Sequence, residues 1–191
     1  MIRLFTALEI PPEIAEKLAR LQNGIDGARW IEPHDFHITL RFLGDIPENL
    51  ADDADEALSQ IPFTPFAVEI EGLGEFGGAE PRAIWARVKP SEPLRILQGR
   101  HESAMRRIGL KPETRSYLPH ITLARTRRTD PVEIAKFIQA HNLFATPTFL
   151  ATRFALYSSK ASTGGGPYVI EKTYPEDAFE PDEEWSEGET P

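Results

Sequence analysis

The chain has 191 residues, 40% of them hydrophobic, enough for one large domain or two small lobes with a real core. It has no cysteine, which excludes disulfides, thiolate chemistry and cysteine-ligated zinc. The net charge of −9 sits at one end: residues 176–191 hold eight acidic side chains and no Lys or Arg, and without them 21 basic residues face 22 acidic ones.

Residues 2–9 alternate as a strand, and Pro11-Pro12 opens a helix, since proline suits a first turn. Ile14, Leu18 and Leu21 follow at helical spacing, and Gly24 and Gly27 end the helix. Arg29-Trp30-Ile31 is a short extended piece. A strand over 36–43 stops at Gly44, and a second helix begins within Asp45 to Pro47, with Leu50, Ala54 and Leu58 on one face. A strand over 66–71 leads into a Gly-rich turn from Gly72 to Gly78, then a strand from Arg82 to Val88.

The pattern then restarts. A helix over 92–108 stops at Gly109, a strand covers about 120–125, and a helix runs from Asp130-Pro131 to near Asn142. A strand over 148–157, a turn at Gly164-Gly165-Gly166 and a strand from Tyr168 to Thr173 complete the order. The repeated order reads as an internal duplication, with hairpins at Gly turns favouring antiparallel sheets. The predicted fold class is therefore α+β: two similar lobes of mostly antiparallel sheet with helices, related by an approximate two-fold axis, with a cleft between them. Residues 1–175 form this single bilobed domain. Residues 176–191 are an acidic appendage with too little apolar surface to fold alone.

No run of eighteen apolar residues is present, so no membrane span is expected. The opening stretch is too short and too interrupted for a signal peptide. With the absence of cysteine, this points to a cytoplasmic protein, read here as a monomer. The body is polarised: no Lys or Arg lies between Phe42 and Pro81, whereas Arg100 to Arg128 holds eight basic residues against Glu102 and Glu113. Such a stretch either attracts phosphate or is a set of solvated charges.

The most informative stretch is His37-Ile38-Thr39-Leu40, repeated as His120-Ile121-Thr122-Leu123, 83 residues later. In a strand, His and Thr share one face while Ile and Leu face the core. Two such strands side by side set two imidazoles and two hydroxyls around one cleft. With no serine or cysteine nucleophile in the pattern, one imidazole would activate water and the other would protonate a leaving oxygen. The threonines would donate to anionic oxygens, a combination suited to in-line attack on a phosphodiester. A metal site competes poorly: His34 and His37 give only a weak spacing, and a His-Glu-x-x-His helix is absent. No cofactor is expected.

The paired motifs, within His37 to Gly44 and Pro119 to Arg125, resemble those of the 2H phosphoesterase superfamily. Their contexts are similar to its RNA 2′,3′-cyclic phosphodiesterase branch, also called 2′-5′ RNA ligase-like. Arg3 to Leu8, Arg29-Trp30 and Gly166-Pro167-Tyr168 add to the likeness, which covers about residues 1–175. The resemblance implies metal-independent hydrolysis of a 2′,3′-cyclic phosphate on RNA ends or nucleotides to a 2′-phosphate. It also implies weak reverse 2′-5′ joining. On it, His37 and His120 are the acid–base pair, Thr39 and Thr122 contact phosphate, and Phe42 and Arg125 flank the base. Alternatives are another cyclic phosphate, a 2′-5′ linkage, or an RNA- or nucleotide-binding module without turnover.

Strict alternation would turn Phe42 and Arg125, five residues after each histidine, away from the cleft unless the strands end or bulge there. Arg41 shares the parity of His37, and either the cleft or an outer ion pair is open to it. His101 is read as helix packing, His141 as a residue at a helix end, and His34 as a local turn contact.

Overall fold

The computed structural model describes residues 1–127, 129–159 and 166–176. Arg128, Gly164, Gly165 and the acidic segment from Asp177 onward lie outside the described residues.

Strand β1 (Ile2–Glu9) is buried without interruption from Leu4 to Leu8, so both of its faces are covered. Helix α1 (Pro12–Ala19) starts on Pro12 and buries Ile14, Ala15 and Leu18. The short β2 (Ala28–Trp30) and a 3₁₀ turn over Pro33–Asp35 lead into β3 (His37–Ile46). The expected stop at Gly44 does not occur. Gly44 takes φ +82° inside the strand, opposite Leu4, and the ladder with β1 continues to Ile2 opposite Ile46. Arg3 holds Asp45 at 2.6 Å, and Ile46 is buried, so the last residues have reasons to stay paired. Helix α2 (Glu48–Ser59) consequently begins only after Pro47.

The two long strands expected next are each divided. The stretch from residue 66 becomes β4 (Phe66–Val68) and β5 (Ile70–Phe76), and the one from 148 becomes β8 (Phe149–Ala151) and β9 (Phe154–Ser159). The first pieces, β4 and β8, pair with each other, while β5 and β9 enter different sheets. Gly72 and Gly74, expected in a turn, lie within β5. The ring of Trp85 covers Gly74 so closely that a Cβ there would sit 2.3 Å from it. The turn is confined to the end of this stretch, where Gly77 and Gly78 take positive φ, and it leads into β6 (Ala83–Val88). Helix α3 (Glu92–Arg107) is capped by Ser91, whose hydroxyl accepts from the N–H of Leu94. Strand β7 (His120–Thr126), helix α4 (Pro131–Ala140), capped by Asp130, and β10 (Tyr168–Tyr174) complete the fold.

Two four-stranded sheets carry the architecture, in orders β10-β9-β1-β3 and β2-β7-β6-β5, with every pairing antiparallel. The α+β class expected from the sequence is the one observed. Each sheet holds one motif strand, yet neither is built from one half of the chain. β9 and β10 join β1 and β3, while β2 joins β7.

The main core is continuous and includes Leu4, Leu8, Ile38, Leu40, Leu94, Met105, Ile121, Leu123 and Phe154. The opposite face of the first sheet carries a smaller cluster of Phe5, Ala7, Ala155 and Tyr157, with Tyr168 against it. His101 is fully buried on α3, donating from Nδ1 to the carbonyl of Leu97 and packing edge-on against Phe154. His141 packs at a tilt against Phe137 at the end of α4, and His34 is an exposed turn residue.

Burial pushes the His101 imidazole down to about 4. The unfolded chain holds the same group near ~6.5, so it binds a proton first as pH falls. Stability is then present above ~6.5 and lost as pH drops towards the folded value, by roughly 3 kcal/mol from this group. Denaturant melts of His101→Leu should show a shallower loss between these limits than the parent. An unchanged slope would contradict a buried neutral His101.

Candidate active site

Strands β3 and β7 pass through the same succession of environments. From each histidine onward the residues are half-buried, buried, half-buried, buried, buried, exposed and buried. Two consecutive buried positions break strand alternation. The register shows the cause. Thr6 faces Arg41 and Ala7 faces Thr39, leaving Leu40 without an opposite residue. Ile84 faces Ala124 and Trp85 faces Thr122, leaving Leu123 in the same position. Each motif strand thus bulges at its fourth residue, and parity inverts beyond it.

The inversion returns Phe42 and Arg125 to the histidine face. Phe42 is 54% exposed, and its ring lies 5.7 Å from that of Phe5, which is 4.8 Å from the His37 ring. Arg125 is exposed, and its charge reaches both His37 and His120. Arg41 is turned away from the cleft. It pairs with Glu102 on α3 at 2.5 Å, so it faces neither the cleft nor an outer ion pair: the pair is largely buried, because the bulge turns Arg41 inward.

Both imidazoles are held alike. Nδ1 of His37 meets the carbonyl of Asp35 at 2.8 Å, and Nδ1 of His120 meets that of Leu118 at 2.7 Å. A carbonyl only accepts, so Nδ1 carries the proton and Nε2 is the basic nitrogen of each neutral ring. Aromatic walls back both rings: Phe5, Tyr157 and Tyr168 around His37, Phe76 and Trp85 around His120. Burial pushes the His37 imidazole down to about 4, against the opposing effect of the Asp35 carbonyl, and the charges of His120 and Arg125 lower it further. His120 is lowered for the same first reason, and Arg125 adds to it. Thr39 and Thr122 lie half-buried two residues beyond their histidines, opposite Ala7 and Trp85.

Several supporting residues escaped the sequence reading. Tyr117 donates its hydroxyl to the carbonyl of Thr39 at 3.0 Å, tying the approach to the second motif onto the first motif strand. Asp35 orients His37 through its backbone, while its buried carboxylate accepts the N–H of Tyr168 at 3.1 Å. Gly166, at φ +85°, is pressed against that carboxylate so closely that a Cβ would lie 2.0 Å from it. This gives Gly166-Pro167-Tyr168 a physical role, the seat of β10 against the His37 turn. The available signal was position: Asp35 and Tyr117 stand two and three residues before the motif histidines.

The structure does not gather the whole basic stretch at the cleft. Arg100 and Arg107 line a separate surface groove of about 500 Å³ between α3 and residues 60–62, which contains none of the six residues discussed. Among the described residues no three His, Cys, Asp or Glu side chains converge as metal ligands would.

Residues 10–163 match the 2′-5′ RNA ligase superfamily. The chain belongs to that superfamily. An RNA 2′,3′-cyclic phosphodiesterase of Archaeoglobus fulgidus is 30% identical over 145 residues, covering 74% of this chain and 81% of that protein. One from Aquifex aeolicus is 28% identical over 185 residues, covering 91% and 97% of the two chains. The fold matches the crystal structure of E. coli LigT complexed with 3′-AMP, with a TM-score of 0.73 at 22% identity and coverage of 91% and 97%. Thermus thermophilus TT0787 gives a TM-score of 0.76 at 23% identity, covering 90% and 96%. The matched span of this 2′-5′ RNA ligase superfamily member contains both motif strands, and β10 with Tyr168 lies beyond it.

The electrostatics can be measured without turnover. In a ¹⁵N NMR titration, His37 should protonate near pH 4, and His120 below the ordinary imidazole range. Arg125→Gln should raise both, because it removes a cation acting on each ring. A His37 that titrates at or above ~6.5 would contradict its burial among Phe5, Tyr157 and Tyr168.

Proposed function

We propose that this chain is an RNA 2′,3′-cyclic phosphodiesterase that works without a metal ion. The observation that carries this reading is the pair of neutral imidazoles, each fixed through Nδ1 to the carbonyl two residues earlier. That arrangement leaves one nitrogen per ring for proton transfer, and proton transfer is what ring-opening of a cyclic phosphate needs. The relatives from Archaeoglobus fulgidus and Aquifex aeolicus bear the name of this activity.

In the proposed reaction, Nε2 of one imidazole takes a proton from water as its oxygen attacks phosphorus. The other imidazole, protonated, delivers its proton to the departing 3′ oxygen, and the phosphate remains on the 2′ oxygen. A bound phosphate anion raises both imidazoles and so favours the protonated partner that the acid step requires. The hydroxyls of Thr39 and Thr122 donate to the non-bridging oxygens. Phe42 and the Arg125 guanidinium hold the base by stacking, which tolerates any sequence. A 5′ hydroxyl in place of water would give the weak 2′-5′ joining reaction.

The substrates on this reading are RNA ends or nucleotides bearing a 2′,3′-cyclic phosphate, met by a monomer in the cytoplasm. Residues 1–175 serve as one catalytic domain, since β10 ends at Tyr174, and the acidic residues 176–191 stand outside the reaction. Among the described residues no helix is long and apolar enough to cross a membrane.

Incubation with a nucleoside 2′,3′-cyclic phosphate in EDTA should give the 2′-phosphate at an undiminished rate. Phe42→Ala and Arg125→Ala should raise KM by roughly 5- to 150-fold, the equivalent of about 1–3 kcal/mol of stacking. A 3′-phosphate product, or activity lost in EDTA and restored by a divalent ion, would overturn the mechanism.

A further inference from the structure

The bulge that returns Phe42 to the cleft also drives Arg41 inward, and what Arg41 holds there bears on Phe42. Its Nε meets Glu102 at 2.5 Å, one terminal nitrogen donates to the carbonyl of Phe42, and the other donates to the carbonyl of Lys111 at 2.5 Å. The second carboxylate oxygen of Glu102 accepts the N–H of Glu113 at 3.2 Å. One ion pair therefore fastens three elements: the end of the β3 motif, helix α3, and the loop after α3. Four residues further along, that loop donates the Tyr117 hydroxyl to the carbonyl of Thr39. The backbone carbonyls of Thr39 and Phe42, on either side of the bulge at Leu40, are thus both held by side chains.

The surroundings of Phe42 make such a hold consequential. Its ring is more than half exposed and, among the described residues, meets one aromatic neighbour, Phe5, at 5.7 Å. Packing alone fixes its direction poorly, so the strand backbone beneath must do so. A guanidinium grips two carbonyls and a carboxylate in one plane, which an ammonium group cannot reproduce. The pair is also sequestered, with side-chain exposures of 8% for Arg41 and 20% for Glu102, so solvent weakens it little. The second motif strand has Ala124 at the matching position, buried and opposite Trp30 of β2. The paired β2 backbone takes there the place that the side-chain clamp takes in the first.

We propose that Arg41 and Glu102 are positioning residues that set the Phe42 platform and so determine how strongly the substrate base is used in binding. The proposal rests on the reading of Phe42 as a base-stacking residue. It assigns the Arg41–Glu102 pair a part in nucleobase affinity, distinct from the proton-transfer chemistry at the phosphate.

The test compares cytidine 2′,3′-cyclic phosphate with ribose 2′,3′-cyclic phosphate, which lacks a base. Variants are Arg41→Lys, the charge-free double variant Arg41→Met with Glu102→Leu, and Phe42→Ala, each checked for a cooperative thermal melt. Both Arg41 variants should raise KM for the cytidine substrate about tenfold, in the range that loss of one stacked base allows. They should change kcat by less than about twofold and leave kcat/KM for the base-less substrate within about twofold, because only base positioning is lost. In a Phe42→Ala background the Arg41 substitutions should add nothing further. Equal losses on both substrates would mean a structural role only and would overturn the proposal. Unchanged kinetics in folded variants would overturn it too, while Phe42→Ala still discriminates between the substrates. If Phe42→Ala itself fails to discriminate, the stacking reading falls and takes the proposal with it.

Discussion

A bulge at the fourth position of each motif strand, where Leu40 has no opposite residue in β1 and Leu123 none in β6, sets the geometry on which the rest depends. In a regular strand, a histidine and the residue five places later lie on opposite faces. The bulge puts them on the same face and sends two neighbouring side chains into the core instead of one. In β7 the second of these is Ala124, which fits without cost. In β3 it is Arg41, a charge in a place where an unpaired charge is not tolerated. Glu102 and two backbone carbonyls answer that charge, so the local solution to one strand irregularity ties α3 and the following loop to the motif.

The second constraint is the exchange of strands between sheets. β2 leaves the first half of the chain to pair with β7, and β9 and β10 return from the second half to pair beside β1. Tyr117 adds a side-chain bond across the same boundary. The two motif strands cannot separate without breaking ladder hydrogen bonds, so two small histidine sites are held as one. Aromatic walls then back both half-buried rings, and that partial burial favours the neutral form. A ring that is neutral when empty and gains a proton as an anion arrives changes state with the ligand.

Much of this was legible in the amino-acid sequence. The repeated tetrapeptide located both histidines and threonines, and the apolar spacing placed four helices near their observed positions. The parity conflict at Phe42 and Arg125 called for a strand end or a bulge, although nothing local chose between them or named Leu40 and Leu123 as the site. What stayed hidden depends on distant contacts. Gly44 reads as a terminator, but pairing with Leu4 and the Arg3–Asp45 contact carry the strand through it. Gly74 reads as a turn residue, yet its missing side chain makes room for Trp85. Asp35 and Tyr117 are ordinary loop residues until the fold brings Tyr168 and Thr39 to them. Strand exchange is equally silent, because each strand's own residues are compatible with either sheet.

The central claim is that His37 and His120 serve one proton-transfer cycle. The most direct measurement is a double-mutant cycle on kcat for a nucleoside 2′,3′-cyclic phosphate, using His37→Ala, His120→Ala and the pair. Each single variant should lose about 10²–10⁴ in kcat, and the double variant should lose little more than the worse single one, because one cycle can be broken only once. Single variants with near-parental kcat, or losses that multiply in the double variant, would contradict a shared site.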